Sequence, residues 1–204
     1  MSTLSPAELT ISPAIGALND LMDGYARGHD GAFADVYRLG APRVRGFLLR
    51  LCGDVSLADD LTQETFLRVH RARGSFAAGG AALPWMFAIA RNALRDHARR
   101  ARVRLLGDRD RDSEDGSQGE APPSGRGDEV LAAREMLAVV KGALASMPPL
   151  QREAFVLLRF EGLSVSEAAQ VLGASKGAVK VRAFRAYEIL RAALAAQTQE
   201  GGES

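Results

Sequence analysis

The 204 residues specify an all-α protein, two small helical domains joined by a flexible acidic linker. Apolar residues recur at three- and four-residue spacing over 30–52, 56–72 and 84–104, the period of a helix with one buried face. Residues 164–191 read as two short helices hinged at Gly173, which is the layout of a helix-turn-helix. Between these regions composition breaks sharply. Residues 104–129 are rich in Gly, Ser, Pro and Asp and carry eight acidic residues against four arginines. Such a stretch buries too little surface to offset its ordering entropy. The expected division is an N-terminal extension (1–20), a first domain (21–103), the linker (104–129), a second domain (130–196) and a disordered tail (197–204).

The elements follow in order. The first helix spans 30–52, is expected to be interrupted near Pro42, and turns Phe33, Val36, Tyr37, Val44, Phe47, Leu48 and Leu51 inward. Ser56 to Asp59 opens the next, with Asp59 and Asp60 in the first turn, where the helix dipole favours acids. It buries Leu57, Leu61, Thr65, Val69 and either Leu67 or Phe66. Pro84 starts a third helix whose inner stripe is Met86, Ile89, Ala90, Ala93 and Leu94. Its opposite face stacks Arg91, Arg95, Arg99 and Arg102, widened by Arg100 and Arg104, against the single acid Asp96. A merely solvated face usually alternates in sign, so this density points to nucleic acid.

Ser164 and Glu167 form a capping box ahead of Val165, Ala168, Ala169 and Leu172. Gly173 suits the left-handed position that ends that helix. Ser175 caps the next, which exposes Lys176, Lys180, Arg182 and Arg185 and is the helix expected to enter a DNA major groove.

Composition bounds the rest. Hydrophobic content of 47% with 25% charged residues is that of a globular chain. Net charge is only +1, so a nucleic-acid surface must come from segregated charge. The single cysteine, Cys52, excludes an intrachain disulfide, fits a reducing compartment and packs as a small hydrophobe. The N-terminus lacks the basic and apolar regions of a signal peptide. The longest uncharged run, residues 75–90, is too short for a membrane span and contains Gly79, Gly80 and Pro84. A cytoplasmic protein without direct membrane insertion is expected.

Nothing points to catalysis. His29, His70 and His97 are scattered without metal-ligand spacing, and no Cys/His cluster, phosphate loop or nucleophile elbow occurs. Asp59 and Asp60 are adjacent and point apart on a helix, so they cannot act as a convergent pair. No catalytic residue, metal or cofactor is expected.

Four segments in order, SLADDLTQETFLRVHRA (56–72), PWMFAIARNALRDHARR (84–100), MPPLQREAFVLLRFEGLSVSEAAQVLGAS (147–175) and GAVKVRAFRAYEILR (177–191), resemble the signatures of bacterial extracytoplasmic-function (ECF) sigma factors. The resemblance covers about residues 25–103 and 135–194. It implies a sigma region 2-like helical bundle and a region 4-like helix-turn-helix, in an initiation factor that binds core RNA polymerase and directs it to particular promoters. On this reading Asp60, Gln63, Glu64 and Phe66 meet the polymerase, with Phe66 as an aromatic anchor. Residues 74–83 would capture an unstacked base of the minus-ten element, with Phe76 and Trp85 as stacking or pocket residues. Trp85 equally suits the core. The Gly/Ala-rich tip of this loop departs from the family.

Asn92 and the arginines Arg91, Arg95 and Arg99 would grip the displaced strand. Residues 147–163 would form a support helix with Phe155, Leu158 and Phe160 packed inward. The minus-thirty-five element would be read by Ser175, Lys176, Lys180, Arg182 and Arg185 over an inner face of Val179, Ala183, Ala186 and Leu190. Val181, Phe184 and Tyr187 leave this helix unusually apolar outside, a surface for an anti-sigma factor, which in this family is often membrane-bound. The linker reads either as a passive tether or as an acidic segment entering the polymerase's RNA path. The rival reading is a stand-alone dimeric helix-turn-helix regulator, which leaves residues 56–72 and the second basic helix without a role.

Overall fold

The computed structural model describes residues 13–107 and 127–200, all of whose regular structure is helical. The helices are α1 (Pro13–Ala26), α2 (Phe33–Cys52), α3 (Val55–Ala72), α4 (Ala82–Gly107), α5 (Gly127–Ser146), α6 (Pro149–Arg159), α7 (Val165–Leu172) and α8 (Lys176–Glu200). Single 3-10 turns at Asp30–Ala32 and Arg73–Ser75 precede α2 and follow α3.

Helices α2, α3 and α4 pack side by side, with α1 against α2 and α4. Their core holds Val36, Val44, Phe47, Leu48, Leu61, Val69, Met86, Phe87 and Ala90, and the Phe47 and Phe87 rings meet at 4.8 Å. Fully burying such a side chain contributes about 1.5–3 kcal/mol. Helices α5 to α8 form the second unit, where Phe155, Leu157, Leu172, Val179 and Ala186 are buried.

Four local expectations are corrected. α2 runs unbroken through Pro42, since Val36, Gly40, Ala41, Val44 and Phe47 are buried on both sides of it and hold the helix in register. The cap of α3 is Asp54, whose Oδ1 accepts from the Leu57 N–H at 2.8 Å, so the helix opens one residue before Ser56 and its first turn lacks an acid. Residues 13–20 of the expected extension belong to helix α1, which runs on into the first domain and buries Leu18, Met22 and Tyr25. α4 continues through Gly107 and α5 begins at Gly127. The remainder of the expected linker, and the segments 1–12 and 201–204, lie outside the described residues.

The two units pack together, α2 against α5 and α6, and α4 against α7. Arg91 on α4 donates Nε to Glu153 Oε2 on α6 at 2.8 Å, with both side chains under a tenth exposed. Glu161 accepts from Arg43 at 3.0 Å and from Arg50 at 3.4 Å. Burial pushes its carboxyl above the usual carboxylate range, against the pull of those two guanidinium groups. Arg152 reaches the Leu51 carbonyl at the end of α2 and the Ala145 and Met147 carbonyls at the end of α5, where a cation complements the helix dipole.

Candidate nucleic-acid interface

Four surfaces carry the predicted residues. On α3, Asp60 and Gln63 are exposed and Glu64 is half-buried. Spacings of three and four residues put them on one helix face. Glu64 is tied to Arg68 at 2.8 Å, and Arg68 also holds Asp96 of α4 at 2.9 Å. The hydrogen bond from Arg68 lowers the Asp96 carboxyl below its ordinary value. Asp59 is lowered likewise by its hydrogen bond with Arg45, leaving Asp60 as the outward acid.

Phe66 is a correction. It is 2% exposed, packed edge-on against Tyr37 with ring centroids 4.7 Å apart. It sits so close to Gly40 that a β-carbon there would lie 3.2 Å from Phe66 Cζ. A ring buried this way is core and not a surface anchor. The apolar group on the Asp60 face is Leu67, 52% exposed, which falls two helical turns from Asp60.

The segment between α3 and α4 is a tight turn. Gly79 adopts φ +70°, and Gly80 N–H donates to Ala77 O at 2.9 Å. A β-carbon on Gly80 would meet that oxygen at 2.7 Å, so the turn demands glycine there. Phe76 is buried and meets Trp85 edge-on at 5.3 Å. The two rings pack on each other: Phe76 faces inward and Trp85 is half-buried.

Along α4, Asn92, Arg95 and Arg99 are exposed on the face that also carries Trp85. Arg99 bonds Asp96 at 3.1 Å but keeps 77% of its side chain exposed. Arg91 alone of the predicted strand-binding residues is buried, in the Glu153 pair between the two units. In this arrangement it does not reach a nucleic acid. Sequence reasoning missed its partner because the two residues are 62 positions apart.

The helix-turn-helix matches expectation closely. Ser164 Oγ accepts from Glu167 N–H at 3.2 Å, and Glu167 Oε2 accepts from Ser164 N–H at 2.8 Å. Gly173 takes φ 57°, ψ 44° and ends α7. Ser175 Oγ accepts from Ala178 N–H at 3.1 Å, so its side chain is occupied as a cap. Lys176, Lys180 and Arg185 are exposed and Arg182 half-exposed, while Val179, Ala183 and Ala186 are buried below them. Val181 and Phe184 are 52% and 65% exposed. Tyr187 turns inward, edge-on to Phe155 at 5.3 Å and under the Arg159 guanidinium. Phe155 is buried and Leu158 half-buried, but Phe160 is 40% exposed beneath Arg50.

Cys52 donates its thiol to Asp54 O at 3.3 Å, and burial pushes the thiol up, which suppresses thiolate reactivity. Among the described residues no helix is long and apolar enough to cross a membrane.

Comparison with known proteins agrees with this geometry. Residues 36–104 match the model of Sigma-70 region 2, and residues 137–190 that of Sigma-70, region 4. The RNA polymerase sigma factor CarQ of Myxococcus xanthus is 39% identical over 173 residues, covering 83% of this chain and 93% of that protein. The RNA polymerase sigma-H factor of Pseudomonas aeruginosa is 31% identical over 178 residues, covering 85% and 92%. Among solved structures, the sigma factor RpoE in complex with the anti-sigma factor NepR from Bartonella quintana superposes with a TM-score of 0.67 at 28% identity, covering 79% of this chain and 96% of that one. CnrH in complex with the cytosolic domain of CnrY gives 0.64 at 28% identity, covering 88% and 98%.

Proposed function

The chain belongs to the ECF RNA polymerase sigma factors, and from that premise we propose how its surfaces divide the work of promoter-specific initiation. It binds core RNA polymerase through the outer face of α3, where Asp60, Gln63 and Glu64 offer acid and amide groups to a basic partner and Leu67 supplies apolar contact. The turn before α4 receives the unstacked minus-ten base, with Trp85 as the ring available to it. Asn92, Arg95 and Arg99 hold the displaced strand by its phosphates. α8 enters the major groove at the minus-thirty-five element, with Lys176, Lys180, Arg182 and Arg185 toward DNA and Ser175 fixing the start of the helix. Exposed Val181 and Phe184 form the apolar part of a surface for an anti-sigma factor. The pairing of the RpoE neighbour with NepR supports such a partner, and the exposure of these two side chains supports the surface.

The observation that carries this reading is the pair of basic surfaces, α4 and α8, each backed by its own core. The chain performs no chemistry. Melting DNA removes stacking worth on the order of 1.4 kcal/mol per step, and the polymerase supplies the grip and the catalysis while this cytoplasmic factor supplies recognition. The test is abortive initiation by core polymerase on genomic promoter fragments with and without the chain. Promoter-dependent products are expected only with it. Duplex binding without initiation would indicate a stand-alone regulator.

A further inference from the structure

The turn that joins α3 to α4 is held both by its own Gly80–Ala77 hydrogen bond and from outside. Two of its backbone donors, at Gly79 and Ala82, are satisfied from α1, which precedes the residues matching the region 2 model (36–104). Asp23 accepts from the Gly79 N–H at the tip through both carboxylate oxygens at 3.1 Å. Asn19 Oδ1 accepts from the Ala82 N–H, the first residue of α4, at 2.9 Å. Asn19 and Asp23 lie one turn apart, so a single face of α1 meets the tip and the helix start together. The entry to the turn is held from the same side, by Arg73, which pairs with Asp30 at 3.0 Å and lies over the Tyr25 ring. Leu18, Met22 and Tyr25 anchor α1 in the core on its adjacent face.

We infer that Asn19 and Asp23 are positioning residues for promoter recognition, holding the turn 76–82 in the shape that admits an unstacked minus-ten base. The inference rests on the proposed role of that turn. Asparagine and aspartate suit the task because each presents an acceptor oxygen on a short side chain to a backbone N–H that the turn leaves unpaired. With both acceptors gone, Gly79 and Ala82 bond water or phosphate instead, and the glycine-rich tip is free to take other conformations. Base selection, which depends on a fixed pocket, is lost before general DNA affinity, which depends on the arginines of α4.

The experiment uses the full chain bound to core polymerase. Initiation is compared between a promoter it recognises and the same promoter with one minus-ten base replaced, for wild type, Asn19→Ala, Asp23→Ala and the double variant. Affinity for core polymerase is measured alongside. The ratio between the two promoters is expected to fall about tenfold in the double variant, the scale of one or two lost hydrogen bonds, with polymerase affinity unchanged. Asp23→Asn and Asn19→Asp keep an acceptor oxygen and are expected to restore most of the ratio. An undiminished ratio, or equal loss on both promoters, overturns the inference while leaving the turn's role standing. Should the double variant not bind polymerase, Asp23→Ala, which alters only an exposed side-chain bond, decides by the same ratio. A wild-type holoenzyme indifferent to every minus-ten base would instead overturn the role of the turn itself.

Discussion

On α3, Phe66 turns beneath Gly40 into the core while Leu67, the next residue, stands 52% exposed on the face of Asp60 and Gln63. Periodicity narrows the buried position to these two residues and cannot choose between them, since both fall near the edge of the apolar stripe. The choice is made by shape, because a ring fits against Gly40 and Tyr37. The two side chains are therefore expected to separate stability from binding. Phe66→Ala removes a buried ring and is expected to destabilise the fold by about 3–5 kcal/mol. Leu67→Ala is expected to change stability by less than about 0.5 kcal/mol and to weaken binding to core polymerase. Denaturant unfolding and a polymerase affinity measurement on both variants check this.

At the scale of elements, the recognition unit was legible because its signals are local. The Ser164–Glu167 box, Gly173 and the Ser175 cap all lie within one or two turns of what they control. Pro42 behaves in the opposite way: its helix-breaking tendency is local, but the packing that overrides it comes from α3 and α4. Asp54 and Ser56 offer the same capping chemistry two residues apart, and sequence alone does not choose between them. Since the box fixes where α7 begins, Ser164→Ala is expected to cost about 1 kcal/mol. The loss appears as a lower thermal midpoint and weaker minus-thirty-five binding, with the interactions of α3 unaffected.

Across the whole molecule, the positions of both basic helices follow from sequence, whereas α1, α5 and the packing of the two units on each other do not. Its contacts join distant residues: Arg91 with Glu153, Arg43 and Arg50 with Glu161, and Arg152 with Leu51. The charge on Arg91 marks it equally for DNA or for a buried partner, and only the fold selects the second. Removing one member of a buried pair leaves an uncompensated charge and costs about 3–5 kcal/mol. Glu153→Ala is therefore expected to open the two units, raising the free chain's affinity for single-stranded DNA and its radius in solution.

Glu161 adds a pH dependence of known sign. Its folded carboxyl is raised by burial, so the folded state takes up a proton that the unfolded state does not. That contribution is fully present below the ordinary glutamate range and is lost as pH rises through the raised value. Glu161→Gln is expected to flatten this part of the profile of thermal midpoint against pH.

The central claim is that this chain gives core RNA polymerase its choice of promoter. Abortive initiation on a pool of promoter fragments, with wild type and with Asp60→Ala/Gln63→Ala, tests it most directly. Promoter-dependent products with wild type, lost in the double variant while its fold and duplex DNA binding persist, are the predicted result. Wild-type chain that binds duplex DNA yet yields no such products with core polymerase would contradict the account.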